Sequence, residues 1–356
     1  MLNFALMGCG RIAKRHSELL GQGEIPGARL SAVCDQDLSK AKALGQRFSV
    51  PYYGAISDLL EKEKIDVVTI LTESGSHAKH VIEVAAFGKH IMVEKPMALK
   101  LADADRMISA CETAGVSMFV VKQNRYNLPV VKLKQAVQQG RFGKMVLGTV
   151  RVRWCRRQSY YDQGDWRGSW EMDGGVAANQ ASHHIDLLIW IMGEVESVFA
   201  KSSTRLVDIQ AEDTIVATVK FKSGALGIIE ATTATRPNDL EGSISVLGET
   251  GSVVIGGFSV NKINNWSFEK KMEGDNEVLR KFSENPPDVY GFGHRAFYNG
   301  VVKSLRDNSA SSVNGEEGKK SLKLLHAIYQ SVETGKEIFL EDSDGSEKLG
   351  CSVNVT

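Results

Sequence analysis

Short apolar runs alternate with amphipathic stretches over the first 122 residues. The runs are rich in Val, Ile and Leu, which is typical of strands buried on both faces. The stretches between them repeat apolar residues with a helical period. Such β–α alternation predicts a doubly wound parallel sheet of the Rossmann type with right-handed crossovers. The predicted strands span residues 2–7, 30–34, 67–71, 90–93 and 118–121, and the clearest predicted helices span 40–48, 77–87 and 101–114.

The pattern changes after Lys122. Apolar and polar residues alternate in several segments, which predicts strands with one buried and one solvated face. We therefore expect residues 145–256 to form a large, open, mostly antiparallel sheet within an α+β domain. The predicted strands span 146–154, 215–221, 226–231 and 243–247, and the predicted helices span 129–139, 183–192, 293–305 and 318–334.

These elements divide the chain into three parts. We expect a Rossmann domain over residues 1–122, a second α/β domain over 123–340 and a polar, frayed tail over 341–356. The length of 356 residues agrees with two domains of ordinary size.

The composition excludes several classes of function. The 43 basic and 43 acidic side chains cancel, whereas proteins that bind nucleic acid or anionic membranes usually carry a positive surplus. The apolar run at 187–192 is far shorter than the ~20 residues of a membrane-spanning helix. The N-terminus lacks the pattern of a signal peptide. The five cysteines are scattered without a Cys-x-x-Cys pair, so we expect neither a metal site nor disulfides, and we expect a cytoplasmic protein.

A glycine-rich loop follows the first predicted strand. Gly8 permits a tight turn, Gly10 lets backbone N–H groups approach a pyrophosphate, and the small Ala13 lets the next helix pack close to the strand. The phosphates would then lie at the positive end of that helix. Because the motif follows a strand and opens a β–α series, it indicates dinucleotide binding.

Asp35 ends the second predicted strand, 25 residues beyond Gly10. A carboxylate at this place accepts hydrogen bonds from both hydroxyls of the adenosine ribose and repels a 2′-phosphate. The position therefore predicts NAD rather than NADP as the cofactor. The competing interpretation is that Asp35 only caps a helix or lies in a solvated turn.

Four motifs in order along the chain resemble those of one enzyme family. They are the glycine loop, a T-x-x-x-x-H turn at 72–77, Glu94-Lys95-Pro96 at a strand end, and an H-x-x-D-x-x-x-W helix from His183 to Trp190. Over roughly residues 1–340 the chain resembles the glucose-fructose oxidoreductase / inositol dehydrogenase / rhizopine-catabolism (Gfo/Idh/MocA) family. The resemblance implies an NAD-binding first domain, and a second domain for substrate binding and oligomerisation.

In that family the lysine of E-K-P lies beside the nicotinamide and the reacting carbinol, and the histidine of H-x-x-D faces it. The resemblance therefore implies that Lys95 and His183 are catalytic. Oxidation of a secondary alcohol needs a base for the hydroxyl proton and a hydride acceptor for the carbon, and an ammonium near the oxygen stabilises its developing charge. Whether Lys95 or His183 accepts the proton stays open. The implied cofactor contacts are Gly8, Gly10, Arg11, Ile12, Asp35, Thr72, Ser74, His77, Glu94, Lys95 and Gln123.

Asn179 is a departure from the pattern of many sugar and polyol dehydrogenases of the family. Those enzymes carry Asp four residues before the histidine, and here that position is an amide. An amide can orient an imidazole ring but cannot offer a negative charge to an imidazolium. We therefore expect His183 to hold a proton less firmly than in an Asp-paired site.

Within the family, several segments resemble the UDP-N-acetyl-glucosaminuronate 3-dehydrogenases of surface-polysaccharide and O-antigen synthesis. They span 121–127, 159–161, 166–171, 179–183 and 290–294. The resemblance implies oxidation of the C3 hydroxyl of a UDP-linked sugar to a 3-keto sugar, which an aminotransferase would use. The guanidinium groups suit a carboxylate or diphosphate, the aromatic rings suit sugar or uracil, and the amides suit hydroxyl and acetamido groups. The predicted substrate contacts are Lys95, Asn124, Arg125, Tyr160, Arg167, Asn179 and His183.

Competing interpretations remain. The aromatic side chains of these segments could belong to the core, and Arg167 could pair with Asp165 or Glu171. The enzyme could instead oxidise a free sugar or polyol such as an inositol, or the chain could be a dinucleotide sensor without catalysis. Analogy with the family predicts a homo-oligomer, either a dimer or a tetramer. The sequence leaves open whether NADH is released or reoxidised in place by a 2-oxoacid.

Overall fold

The computed structural model describes residues 1–283, 291–309, 311 and 313–352. Tyr290, part of one segment used in the sequence comparison, lies outside them. The helices of the described residues are α1 Ala13–Gly21, α2 Leu38–Phe48, α3 Ile56–Lys62, α4 His77–Ala86, α5 Leu101–Thr113, α6 Leu128–Gln138, α7 Gln158–Tyr161, α8 Ser182–Met192, α9 Val278–Lys281, α10 Gly293–Asp307 and α11 Gly315–Thr334. Short 3₁₀ turns span Ser74–Ser76, Gln123–Tyr126 and Asp275–Glu277.

The strands fall into two sheets. Their bounds are β1 Leu2–Met7, β2 Ala28–Cys34, β3 Tyr52–Tyr53, β4 Val67–Ile70, β5 His90–Val93, β6 Met118–Val120, β7 Met145–Arg153, β8 Val195–Ser203, β9 Thr214–Phe221, β10 Leu226–Thr232, β11 Glu241–Gly248, β12 Gly251–Gly256, β13 Lys262–Phe268 and β14 Ile338–Phe339. The first sheet has the order β3-β2-β1-β4-β5-β6, and the second has the order β13-β12-β11-β7-β10-β9-β8-β14.

The first compact unit contains Met1–Val121 and His294–Lys319. Every strand pair in its sheet is parallel, and every residue of β4 is buried, as the apolar runs predicted. The Rossmann prediction is confirmed. Residues 294–319, which the sequence division assigned to the second domain, group with this unit in the structure. They are held there by buried residues such as Tyr298, whose ring packs edge-on against Phe4.

The second compact unit contains Lys122–Gly293 and Lys320–Thr356. Its sheet is mixed: β7 and β10 are parallel, and the other pairs are antiparallel. The prediction of a mostly antiparallel open sheet is therefore confirmed. Helix α8 packs on the middle of this sheet, and Gly148 on β7 makes the close approach possible, because a Cβ there would lie 2.7 Å from Cγ of Met192.

Two parts of the second unit differ from expectation. Strands β8, β12, β13 and β14 were not predicted, because their polar or glycine-rich residues lack clear alternation. The expectation of a frayed tail is wrong for the segment up to residue 352. Leu349 is buried, and the N–H of Gly350 donates to the carbonyl of Trp170 at 2.8 Å. Apolar burial and hydrogen bonds hold this segment in place.

Candidate active site

The glycine loop adopts the geometry that close approach to a dinucleotide requires. Gly8 has φ +99°, and a Cβ there would lie 2.8 Å from the carbonyl carbon of Leu71, so the position requires glycine. A Cβ at Gly10 would meet nothing within 4 Å, so this side of the loop is open. Ile12 precedes α1 without a side-chain cap, and the N–H groups of Ala13 and Arg15 donate to the carbonyl oxygens of Gly10 and Ile12. The positive end of the helix dipole still favours an anion at this terminus. The neighbouring Arg11 is exposed.

Asp35 is fixed at the end of β2 by two backbone donors. Its Oδ2 accepts from the N–H of Cys9 at 2.7 Å, and its Oδ1 accepts from the N–H of Asp37 at 2.8 Å. The carboxylate is thus tied directly to the glycine loop. Helix α2 is capped by Asp37, whose side chain accepts from the N–H of Ser39, so capping does not account for Asp35.

The turn after β4 is joined to the Glu94-Lys95-Pro96 segment through His77. The Nε2 of His77 lies 3.0 Å from the carbonyl oxygen of Thr72, and its Nδ1 lies 2.9 Å from that of Pro96. Burial lowers the pKa of His77, although hydrogen bonds to the two carbonyl groups oppose the shift. Thr72 Oγ1 also lies 3.0 Å from Nδ1 of His80, and Ser74 begins the following 3₁₀ turn.

Glu94 points towards buried histidines. Its Oε1 lies 3.1 Å from Nε2 of His16 and 4.0 Å from Nε2 of His294, and its Oε2 accepts from the backbone N–H of Lys95 at 3.1 Å. Burial opposes ionisation, but the hydrogen bond from His16 and the charges of both histidines and Lys95 outweigh it and lower the pKa of Glu94 to about 2. Its contact with the cofactor stays a prediction. The side chain of Lys95 is half-buried.

Within the described ranges, His16, Glu94 and His294 form the group whose ligand atoms all lie within 4.8 Å of one another, a spacing that could hold a metal ion. Within this group, Nε2 of His16 and Oε1 of Glu94 lie at hydrogen-bond distance. The expectation that the protein has no metal site stays a prediction.

His183 lies at the start of α8, in the second unit. Its Nε2 lies 2.8 Å from Nε2 of Gln123, which belongs to the 3₁₀ turn before α6. With the amide in this orientation its N–H donates to a lone pair on the ring nitrogen, an arrangement that suits a neutral imidazole. Both side chains are buried. The adjacent His184 packs edge-on against Trp154, and burial lowers its pKa to about 4, in agreement with a structural role.

A buried ion group lies one helical turn along α8. Asp186 accepts from Nε and Nη2 of Arg125, each at 2.7 Å, and its Oδ1 lies 3.0 Å from Nζ of Lys122. Burial raises the pKa of Asp186, but the charges of Lys122 and Arg125 outweigh it and hold the pKa below its ordinary value. The guanidinium of Arg125 also lies over the ring of Trp190. The geometry therefore gives Arg125 a structural partner, and its contact with substrate stays a prediction.

Asn179 is paired with a carboxylate that the sequence analysis did not single out. Its Nδ2 donates to Oδ1 of Asp173, and Oδ2 of Asp173 accepts from the N–H of Gly168 at 2.8 Å. Asp173 is buried. In the sequence, Asp173 was marked only by its position six residues before Asn179. The amide at 179 thus connects the chain before α8 to the loop at 168–173.

The aromatic segment of the second unit surrounds a guanidinium group. Arg167 lies over the rings of Tyr160 and Trp166 at 4.5 and 4.4 Å, and its Nη1 donates to the hydroxyl of Tyr160 at 2.7 Å. Gln180 Nε2 lies 3.4 Å from the same hydroxyl. Arg167 is thus held by aromatic side chains. Pairing with Asp165 or Glu171, the alternative raised by the sequence, does not account for its position.

Two buried amide oxygens remain for an external donor. Oδ1 of Asn124 and Oε1 of Gln123 are buried and have no hydrogen-bond partner among the residues that the structure describes. Buried amide oxygens usually have a partner, since leaving one unpaired costs about 1–3 kcal/mol. Both atoms could accept from a bound ligand.

Glu212 is a buried acid that the sequence analysis missed. Its Oε1 accepts from the hydroxyl of Tyr329 and from the N–H of Ala177, each at 2.9 Å. Burial is the largest influence on its pKa and raises it to about 7. The hydroxyl of Tyr329 accepts in turn from the N–H groups of Gly175 and Ala178. This network supports the segment that leads to Asn179. No periodic signal marked Glu212 in the sequence.

In the part of the chain that the structure describes, no helix combines the length and apolar character needed to span a membrane.

Family models match both halves of the chain. A model described as an oxidoreductase family with an NAD-binding Rossmann fold matches residues 2–122, and a model of the C-terminal α/β domain of the same family matches residues 134–340. The family resemblance drawn from the sequence and the prediction of NAD are thereby confirmed.

Similar proteins include both nucleotide-sugar and inositol enzymes. The structure of the WlbA dehydrogenase from Bordetella pertussis in complex with NADH and UDP-GlcNAcA is 42% identical, with a TM-score of 0.87 over 95% of this chain and 98% of that one. The WlbA structure from Chromobacterium violaceum, with the same ligands, is 43% identical, with a TM-score of 0.88 over 95% of each chain. The myo-inositol 2-dehydrogenase of Thermotoga maritima is 30% identical over 97% of this chain and its whole length.

Proposed function

Because the chain belongs to the Gfo/Idh/MocA oxidoreductase family, we propose that it uses NAD to oxidise the C3 hydroxyl of a UDP-linked N-acetylhexosaminuronic acid. The observation that carries the proposal is the identity of 42–43%, over 95% of the chain, to two structures named as complexes with NADH and UDP-GlcNAcA. The product would be the 3-keto sugar.

The reaction removes a hydride from C3 and a proton from the C3 hydroxyl. NAD accepts the hydride when it is bound. We assign the proton to His183, whose neutral imidazole can act as a base. Its lone pair is at Nε2, 2.8 Å from Nε2 of Gln123, so in this proposal the amide turns its N–H aside when Nε2 takes up the substrate proton. We assign Lys95 to the developing oxygen charge, because the ionised Glu94 beside it favours the ammonium form. In this proposal the two roles that the sequence left open go to different residues.

Substrate recognition draws on the second unit. Arg167, held by Tyr160 and Trp166 with its side chain half-exposed, suits a carboxylate or a diphosphate. The unpaired oxygens of Asn124 and Gln123 suit hydroxyl or amide donors of a ligand. Asn179 contributes by fixing the chain before His183. Arg125 supports the same helix through Asp186, and we give it this supporting role in place of a direct contact.

The test is turnover by the purified protein with NAD and a panel of alcohols, followed as absorbance of reduced nicotinamide. We expect UDP-GlcNAcA to be oxidised, UDP-GlcNAc to react at least tenfold more slowly for lack of the carboxylate, and free myo-inositol to give no signal above background. Turnover of myo-inositol without turnover of the UDP-sugar contradicts the proposal. Addition of a 2-oxoacid then shows whether NADH is reoxidised in place.

The second candidate function is oxidation of a free sugar or polyol. It is favoured by the 30% identity to a myo-inositol 2-dehydrogenase along the whole chain. The lower identity and the amide at Asn179 make it the weaker candidate. A sensor without catalysis is disfavoured because Lys95 and His183 are both retained.

The wider context follows from the chemistry of the product. A 3-keto sugar is a substrate for transamination, so we propose an aminotransferase as the next enzyme, in a cytoplasmic pathway of surface-polysaccharide synthesis. We also propose a homo-oligomer. Size-exclusion chromatography with light scattering distinguishes a monomer from a dimer or tetramer.

A further inference from the structure

Four buried side chains meet inside the first unit. His16 comes from α1, Glu94 follows β5, and His294 and Tyr298 come from α10. Three of them are fully buried, and Glu94 is 7% exposed. The rings of His16 and His294 pack edge-on with their centroids 5.2 Å apart. We call this group the Glu94 cluster.

Hydrogen bonds run through the cluster to the backbone of Lys95. The hydroxyl of Tyr298 lies 2.7 Å from Nδ1 of His16, and Nε2 of His16 lies 3.1 Å from Oε1 of Glu94. Oε2 of Glu94 accepts from the N–H of Lys95 at 3.1 Å. The residue that carries the amine is thus held by the carboxylate beside it, and that carboxylate is held by an imidazole from the glycine-loop helix.

We propose that Glu94 is a positioning residue that fixes the peptide of Lys95 and favours the ammonium form of its amine, and that His16 holds Glu94 in place. The inference rests on the proposed function only for the part that Lys95 plays in the reaction. The geometry and charge of the cluster are independent of any substrate.

The surroundings of Glu94 favour a lasting negative charge. Besides Lys95, the titratable groups that face it are His16 on α1, His77 on α4, and His294 and Tyr298 on α10. Burial raises the pKa of the Tyr298 phenol far above its ordinary value, so Tyr298 remains a neutral hydroxyl. Because the pKa of Glu94 is about 2, its carboxylate stays ionised across the pH range of any assay. A nearby negative charge favours protonation of an amine.

A proton rather than a metal ion joins His16 to Glu94 in this proposal. The two atoms already make a hydrogen bond, and the other nitrogen of His16 contacts Tyr298. Metal analysis of the purified protein by mass spectrometry is therefore part of the test. A stoichiometric metal that is absent from His16→Gln would overturn the proposal.

The experiment measures the protonation of Lys95 without any substrate. The purified chain is labelled with trace acetic anhydride at a series of pH values, and acetylation of Lys95 is quantified by peptide mass spectrometry. The midpoint gives the pKa of the amine. We expect Glu94→Gln to lower that midpoint by about one pH unit, because the adjacent negative charge is gone. The double variant His16→Gln/Glu94→Gln should show the same decrease, and it leaves no unpaired buried charge if the single variant folds poorly.

Two controls separate charge from loosened structure. His16→Gln removes one of the groups that favour ionisation of Glu94 but leaves the carboxyl group itself, so it should lower the midpoint by less than Glu94→Gln does. His90→Gln, a change of the same type on β5 at a half-buried ring, should leave the midpoint unchanged. An unchanged or raised midpoint in Glu94→Gln overturns the proposal, and so does an equal decrease in His16→Gln. Since no sugar is used, a failure here is distinct from a failure to oxidise the UDP-sugar.

Discussion

The surroundings of Lys95 and those of His183 differ in charge. Lys95 follows an ionised carboxylate, Glu94, which contacts the buried His16 at hydrogen-bond distance. His183 meets an amide, Gln123, and the position four residues before it is another amide, Asn179. The carboxylate nearest along α8, Asp186, is already paired with Lys122 and Arg125.

This difference is the ground on which we propose the acid–base roles. A carboxylate beside an amine favours the charged ammonium, and a neutral amide beside an imidazole offers no such support to its charged form. In the proposed mechanism Lys95 therefore supplies a fixed positive charge and His183 acts as the base. Asn179 departs from the family pattern in the sequence, and its amide donates to Asp173. Because an amide carries no charge, Asn179 offers no carboxylate to His183, which agrees with this assignment.

Loss of the amine at position 95 should have the largest effect. Lys95→Ala removes the positive charge, and we expect kcat to fall by about 10³-fold or more while NAD still binds. Turnover and NADH fluorescence titration measure the two effects separately. Lys100→Ala, at an exposed lysine five residues on, is the matched control and should retain activity. Full activity in Lys95→Ala would remove this residue from the mechanism.

Breaking the buried ion group should act on stability. Asp186→Asn removes the carboxylate that two buried cations share, and we expect a loss of about 3–5 kcal/mol in the free energy of unfolding. Urea unfolding followed by circular dichroism measures it. The exposed pair of Lys222 and Glu194 provides a control, since Glu194→Gln should cost well under about 1 kcal/mol. If the two variants lost the same free energy of unfolding, the buried ion group would not be what holds the 3₁₀ turn Gln123–Tyr126 against α8.

Asp35→Ala tests a site in the first unit that lies outside the Glu94 cluster. Loss of the charged acceptor should weaken NAD by about 10–100-fold, with NADP affected much less. The acetylation midpoint of Lys95 should not change. Isothermal titration with both cofactors measures the preference, and an unaltered ratio of NAD to NADP affinity would argue against the ribose contact.

Gln123→Glu gives His183 a neighbouring carboxylate, as Lys95 has in Glu94. A carboxylate beside His183 favours the imidazolium, so the acid limb of kcat/KM should move upward by about one pH unit. Gln123→Met, which has no charge, is the control for size and should not move the limb upward. An unshifted limb in Gln123→Glu would separate His183 from the rate-controlling proton transfer.

The sequence predicted those elements of the fold that follow a local pattern of apolar residues or a binding motif. The buried runs at β1, β4 and β5, the glycine loop and Asp35 each follow from local rules of packing or phosphate binding. Strands such as β13, with Asn264 and Asn265 in its centre, carry no such pattern because pairing with β12 determines them. Their existence depends on contacts distant in sequence.

The candidate site was predictable as a set of motif residues but not as a set of contacts. Lys95 and His183 came from family motifs, whereas the partners of the site residues lie far away in the chain. Glu94 meets His16 and His294, and Arg125 meets Asp186. Such pairs depend on tertiary packing, and a single sequence offers no periodic signal for them. The direct ligand contacts of these residues stay predictions.

The pH dependence of kcat/KM with UDP-GlcNAcA and NAD tests most directly which group accepts the proton. If His183 is the base, activity rises through one ionisation at acid to neutral pH as the imidazole loses its proton, and is then constant until far more alkaline pH. A rate that is flat through that range and increases only where amines lose their proton would assign the base to Lys95 and contradict the account.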